Sequence, residues 1–89
     1  GTYEGRGEGR TPTFYVRSGR LKIEYNLRFR NYYGVLYRVE RGDDVEVGRL
    51  SMKKRGAPPY TETFSVRPGD YYIKVVADST WSLTIWERW

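Results

Sequence analysis

From Thr11 onward the chain alternates apolar and polar residues with a period of two. Leu21, Ile23, Tyr25, Leu27 and Phe29 alternate with Lys22, Glu24, Asn26, Arg28 and Arg30. On a helix these residues would scatter around the whole circumference, whereas on a strand they divide cleanly between two faces. The same reading applies to Phe14 and Val16, to Val35, Tyr37 and Val39, and to Val45 and Val47 in a segment running to about Met52. It applies again to Phe64 and Val66, to Tyr71, Ile73, Val75 and Ala77, and to Trp81, Leu83 and Ile85. Seven strands result, and no segment carries a helical period. Turns fall at Gly42-Asp43-Asp44 and Asp78-Ser79-Thr80, and a loop falls at Lys53 to Pro59, where Gly56 and Pro58-Pro59 interrupt any ladder.

Superimposed on the alternation is an internal repeat. Thr11-Pro12-Thr13-Phe14-Tyr15-Val16-Arg17-Ser18-Gly19 and Thr61-Glu62-Thr63-Phe64-Ser65-Val66-Arg67-Pro68-Gly69 agree at six of nine positions. The echo extends from Leu21-Lys22-Ile23 to Tyr71-Tyr72-Ile73. Each copy reads as strand, tight turn, strand, with glycine for the positive φ of the turn. Two copies are too few for a solenoid. The expectation is one all-β domain, an antiparallel, jelly-roll-like β-sandwich built from two similar hairpin units. Residues 1–10, with four glycines among Arg and Glu, read as a flexible Gly-rich arm or linker, leaving 11–89 as the sandwich.

Composition narrows the function classes. The 89 residues contain no Cys and no His, so disulfides, thiol nucleophiles, the usual zinc ligands and imidazole acid–base chemistry are all excluded. The carboxylates Asp43, Asp44, Asp70 and Asp78 sit in turns or at strand ends, without the spacing of a calcium loop. No catalytic residue, metal ligand or cofactor is therefore expected. Sixteen Lys and Arg against eleven Asp and Glu give a net charge of +5, and mean hydropathy is −0.77. That charge suits either simple solubility or an acidic partner such as nucleic acid. The absence of Gln and Cys, with one Met and two Asn, points to a thermophilic source.

Two groups stand out as candidate sites. If the strand from Tyr71 paired with the last strand as a hairpin, Tyr72, Lys74, Trp86 and Arg88 would share one exposed binding face, with flat aromatics beside cations. Lys53, Lys54 and Arg55 form the densest basic loop. Tyr32 and Tyr33 lie in a turn that could serve recognition or edge packing. Trp81 heads the last strand at an inward position and reads as a core anchor.

The stretches Thr11 to Val16, Arg20 to Tyr25, Gly69 to Val75 and Asp78 to Ile85 carry T-x-x-F-x-V, R-x-x-I-x-Y, G-x-Y-Y-x-x-V and D-x-x-W-x-x-x-I patterns. On these, the chain resembles a small β-sandwich accessory domain of prokaryotic extracytoplasmic proteins and lipoproteins, and more distantly the pre-peptidase C-terminal domain of secreted proteases. The resemblance implies a non-catalytic interaction domain contacting protein or glycan surfaces, in a parent protein that is extracytoplasmic or membrane-attached. It carries over no binding residues. A basic, aromatic nucleic-acid-binding domain is the alternative, although no OB-type or RRM-type signature is visible.

Overall fold

The computed structural model describes residues 1–26, 33–50, 59–77 and 80–87. Among them are nine strands and no helix. They are β1 (Thr2–Arg6), β2 (Gly9–Arg10), β3 (Phe14–Val16), β4 (Arg20–Asn26), β5 (Tyr33–Glu40), β6 (Asp43–Leu50), β7 (Tyr60–Ser65), β8 (Gly69–Val76) and β9 (Thr80–Glu87). One antiparallel sheet has the order β1-β9-β4-β7. The other has five strands in the order β2-β8-β5-β6, with β3 also on β8. The two sheets form a β-sandwich around a core that includes Leu21, Ile23, Tyr25, Leu36, Ile73 and Leu83. Phe14 and Phe64 are half-buried and pack against this core.

The strand count exceeds the expected seven because the Gly-rich segment is not an arm. Its residues Thr2–Arg6 pair with β9, and Gly9–Arg10 pair with β8. The reason lies in Trp81, which is 5% exposed and faces Gly5 across the ladder. A Cβ on Gly5 would lie 2.3 Å from the indole, and one on Gly9 would lie 3.3 Å away. The Trp81 Nε1–H also donates to the Gly7 carbonyl at 3.1 Å. Each strand glycine costs about 0.5–1 kcal/mol. Burying an indole of roughly 200 Å² at ~25 cal/mol per Å² contributes on the order of 5 kcal/mol, which outweighs that cost. The alternating glycines are a bare track for one large ring.

The repeat becomes a pseudo-two-fold relation. Phe14 pairs with Tyr71 and, fifty positions on, Phe64 pairs with Leu21. Likewise Tyr15 faces Asp70, and Ser65 faces Arg20. The copies are not hairpins, however. β3 lies in the five-stranded sheet and β4 in the other, while β7 and β8 reverse that order. Each copy is an arch over the core, and its strands pair with those of the other copy. Val16 and Leu21 are both fully buried, so the chain must turn through the thickness of the sandwich to direct both inward.

Side chains fasten the two arches. The Glu87 carboxylate accepts from the backbone N–H groups of Arg17 and Ser18, at 2.9 and 3.2 Å. At the other turn the Tyr71 hydroxyl donates back to the Arg67 carbonyl, as in a tyrosine corner. Thr11, only 1% exposed, bridges the gap between β2 and β3. Its N–H donates to the Ile73 carbonyl at 2.9 Å, and its hydroxyl accepts from the Ile73 N–H at 3.0 Å.

Candidate binding faces

Alternation along each strand leaves two outer faces. On the five-stranded sheet, β8 presents Tyr72 and Lys74, β5 presents Tyr37, and β6 presents Asp44, Glu46 and Arg49. Tyr72 pairs with Tyr37 across the ladder, and the rings stack with centroids 5.2 Å apart at 22°. From β2, the Arg10 guanidinium lies 3.8 Å from the centroid of the Tyr72 ring. The Tyr72 hydroxyl donates to Asp44 Oδ2 at 2.7 Å, which, with burial, holds the phenol above its ordinary pKa. Lys74 Nζ lies 3.5 Å from Glu8. Arg49 donates twice to the Glu46 carboxylate, at 3.0 and 3.1 Å. That pairing lowers the pKa of Glu46 and raises that of Arg49. The groups around Tyr72 and Arg49 are thus committed to one another, whereas Tyr15 and Tyr33, at outward positions of β3 and β5, stand 57% and 41% exposed on the same sheet.

The four-stranded face is built differently. Lys22 and Trp86 are cross-strand partners, with the ammonium 5.2 Å from the indole centroid. Trp86 is nevertheless 42% exposed. Along the ladder from it, Thr84 lies between Thr2 and Glu24, and Ser82 lies between Glu4 and Asn26. Beyond Ser82 an open groove of about 640 Å³ is lined by Glu4, Gly5, Arg6, Asn26, Thr80, Trp81 and Ser82. Among the described residues, no hydrogen bond or ion pair engages the side chains of Glu4, Arg6, Asn26 or Ser82.

These positions revise the sequence-based face. Tyr72 and Lys74 lie on one outer surface and Trp86 on the opposite one, because β8 and β9 belong to different sheets. Ala77, just after β8, and Trp81, in β9, are both buried, and their strands lie in opposite sheets instead of forming one hairpin. Tyr72 is itself only 8% exposed. Arg88 and the Lys53, Lys54 and Arg55 loop lie outside the described residues, as do Tyr32 and Asp78. Tyr33 is 41% exposed at the start of β5. Trp81 is in the core, where its inward register put it. The groove residues Glu4 and Arg6 escaped sequence reasoning because their segment read as linker. The available signal was the alternation of Thr2, Glu4 and Arg6 with Tyr3, Gly5 and Gly7.

The fold and these faces define an antiparallel sandwich in which the aromatic cluster at Tyr72 is satisfied by its neighbours and Trp86, on the opposite outer surface, is left open. In comparison with known proteins, the chain matches no family model, no curated protein and no solved structure.

Proposed function

We propose that this chain is a non-catalytic interaction domain of an extracytoplasmic or membrane-attached prokaryotic protein, and that it makes contact through the outer face of the four-stranded sheet. The observation that carries this reading is Trp86, a large aromatic left 42% exposed on a sheet face that carries an open, polar groove four positions along β9, at Ser82. An exposed aromatic on the same face as unpaired polar groups gives a partner both apolar contact and hydrogen bonds. The location is what the resemblance to extracytoplasmic accessory domains, carried by the motifs of Thr11 to Val16 and Gly69 to Val75, implies.

Amide chemical-shift mapping on the full chain tests the surface, using neutral oligosaccharides, hexagalacturonate and a single-stranded oligothymidylate as probes. Perturbations should localise to β1, β4 and β9. Perturbations centred on Tyr37 and Tyr72 would refute the assignment, as would silence from every probe. A nucleic-acid reading draws on the Lys22–Trp86 pair and the net charge of +5. It requires oligothymidylate affinity that falls steeply with salt.

A further inference from the structure

We propose that the Trp86 end of the four-stranded face takes an acidic oligosaccharide, with a sugar ring stacked on Trp86 and its carboxylate held by Lys22 and Arg20. This rests on the reading of that face as the contact surface and specifies its ligand.

The ladder register places the groups. Trp86 on β9 is the cross-strand partner of Lys22 on β4, and Lys22 in turn faces Thr63 on β7. One rung further out, Arg20 faces Ser65. All five point outward, because Leu21, Ile23, Phe64 and Ile85, which alternate with them, pack in or against the core. Arg20, Thr63 and Ser65 are exposed, and among the described residues no hydrogen bond or ion pair engages their side chains. The Lys22 ammonium lies 5.2 Å from the indole centroid and has no carboxylate partner among the described residues. A flat apolar ring, two cations and two hydroxyls thus share one corner of the face.

The distribution of charge along the sheet shows where an anion fits. Outward positions of the described strands carry Arg6, Arg20 and Lys22 against Glu4 and Glu24. The signs are segregated. Arg20 and Lys22 occupy the two rungs at the Trp86 end, Glu24 the next, Glu4 the one after and Arg6 the last. Such rungs repeat about every 7 Å along a strand, so Glu4 and Arg6 stand more than a Debye length from Lys22. Glu87 projects on the inward side of β9, where the backbone N–H groups of Arg17 and Ser18 hold its carboxylate and the exposed Arg17 offsets its charge. The Trp86 end is therefore a local cationic site with one carboxylate, Glu24, at its border.

Ring count and hydroxyls decide between acidic ligands. Single-stranded nucleic acid is held by stacking successive bases on several aromatics. On this sheet, among the described residues, Trp86 is the one aromatic at an outward position. A uronate ring needs only one. Its C–H face lies on the indole, its carboxylate takes the ammonium and the forked guanidinium, and its hydroxyls reach Thr63 and Ser65. Glu24 sets the pattern of the chain, since a ring continuing toward it along the strand meets repulsion if it too carries a carboxylate.

The test titrates the full chain by calorimetry with a hyaluronan hexasaccharide, in which uronate alternates with a neutral ring, and with hexagalacturonate, charged on every ring. Cellohexaose and oligothymidylate serve as comparisons. The hyaluronan hexasaccharide should bind, and its affinity should fall by roughly five- to tenfold between about 50 and 200 mM salt, as release of about two counterions requires. Trp86→Ala should weaken binding by about tenfold or more. Arg20→Ala and Lys22→Ala should each weaken it about fivefold and leave the remaining affinity less salt-dependent. Hexagalacturonate should bind more weakly, and Glu24→Gln should strengthen its binding about threefold, a gain that loss of structure cannot mimic. Lys74→Ala, on the opposite face, should leave these affinities unchanged. Silence from both acidic oligosaccharides overturns the inference. So does cellohexaose or oligothymidylate binding more tightly than either of them; if that binding depends on Trp86, the contact face stands and only its ligand class is wrong. Binding that survives Trp86→Ala undiminished overturns both.

Discussion

On the five-stranded sheet Tyr72 is 8% exposed, and on the four-stranded sheet Trp86 is 42% exposed, although each is an aromatic at an outward strand position beside a cation. The difference lies in the number of neighbours that close over each ring. Tyr72 has Arg10 above it, Tyr37 stacked beside it and Asp44 holding its hydroxyl. Trp86 has Lys22 at 5.2 Å. An outer face can therefore act as a second, polar-capped layer of structure or remain available to a partner, and residue type alone does not decide which. The neighbours that decide it come from β2, β5 and β6 on one side and from β4 alone on the other, since β1 pairs with β9 only as far as Thr84.

Truncating each ring gives the widest separation between the faces. Tyr72→Ala removes a nearly buried aromatic and its stack, and should destabilise the domain by about 3 kcal/mol. Trp86→Ala removes a ring that is already half in water, and should cost about 1 kcal/mol or less. Urea denaturation of both variants measures the two values. Equal losses would erase the distinction between a structural and an open face.

A smaller effect isolates the hydroxyl of Tyr72. Tyr72→Phe keeps the ring and deletes the bond to Asp44, for an expected loss of about 1 kcal/mol at neutral pH. The folded-state pKa of Tyr72 is raised, first by that bond and then by burial. The linked stability is therefore complete below the unfolded tyrosine value of about 10 and is lost as pH rises through the folded value. Alkaline denaturation should be shallower in Tyr72→Phe than in the parent chain. An identical alkaline profile would mean that the hydroxyl is not tied into the face.

Much of this architecture is legible in the sequence, because two-residue alternation survives tertiary context. Leu21, Ile23 and Tyr25 are fully buried between half-buried or exposed neighbours, as their pattern requires. The repeat also held a real relation, since Phe14 and Phe64 occupy equivalent pairings. Local signals could not supply the plane of each turn. Ser18-Gly19 and Pro68-Gly69 mark a reversal, but whether the chain returns in its own sheet or crosses the core depends on partners far along the sequence. For that reason the hairpins became arches, and Tyr72 parted from Trp86. Thr11 and Thr61 show the same limit at one residue. They occupy matched positions in the repeat, yet Thr11 is buried against β8, hydrogen-bonded to Ile73, and Thr61 is exposed. The glycines of β1 and β2 misled for a related reason. Missing side chains look like flexibility until the ring that fills the space, seventy-odd positions later, is known.

The smallest expected effect concerns the rim of the satisfied face. Glu46 and Arg49 are exposed, and their paired hydrogen bonds at 3.0 and 3.1 Å compete with water and salt. Glu46→Gln should therefore shift the urea midpoint far less than either Tyr72 variant. The pairing lowers the folded-state pKa of Glu46. Its contribution is present above the unfolded carboxylate value of about 4.3 and is lost as pH falls through the folded value. The small gap between the parent chain and Glu46→Gln should close in acid, and it should close again at neutral pH in about 1 M salt. A loss as large as that of Tyr72→Phe, persisting in salt, would show that the rim shares in holding the Tyr37–Tyr72 stack. The satisfied face would then extend from Arg10 to Arg49 as one cooperative layer, in sharper contrast to the open face across the core.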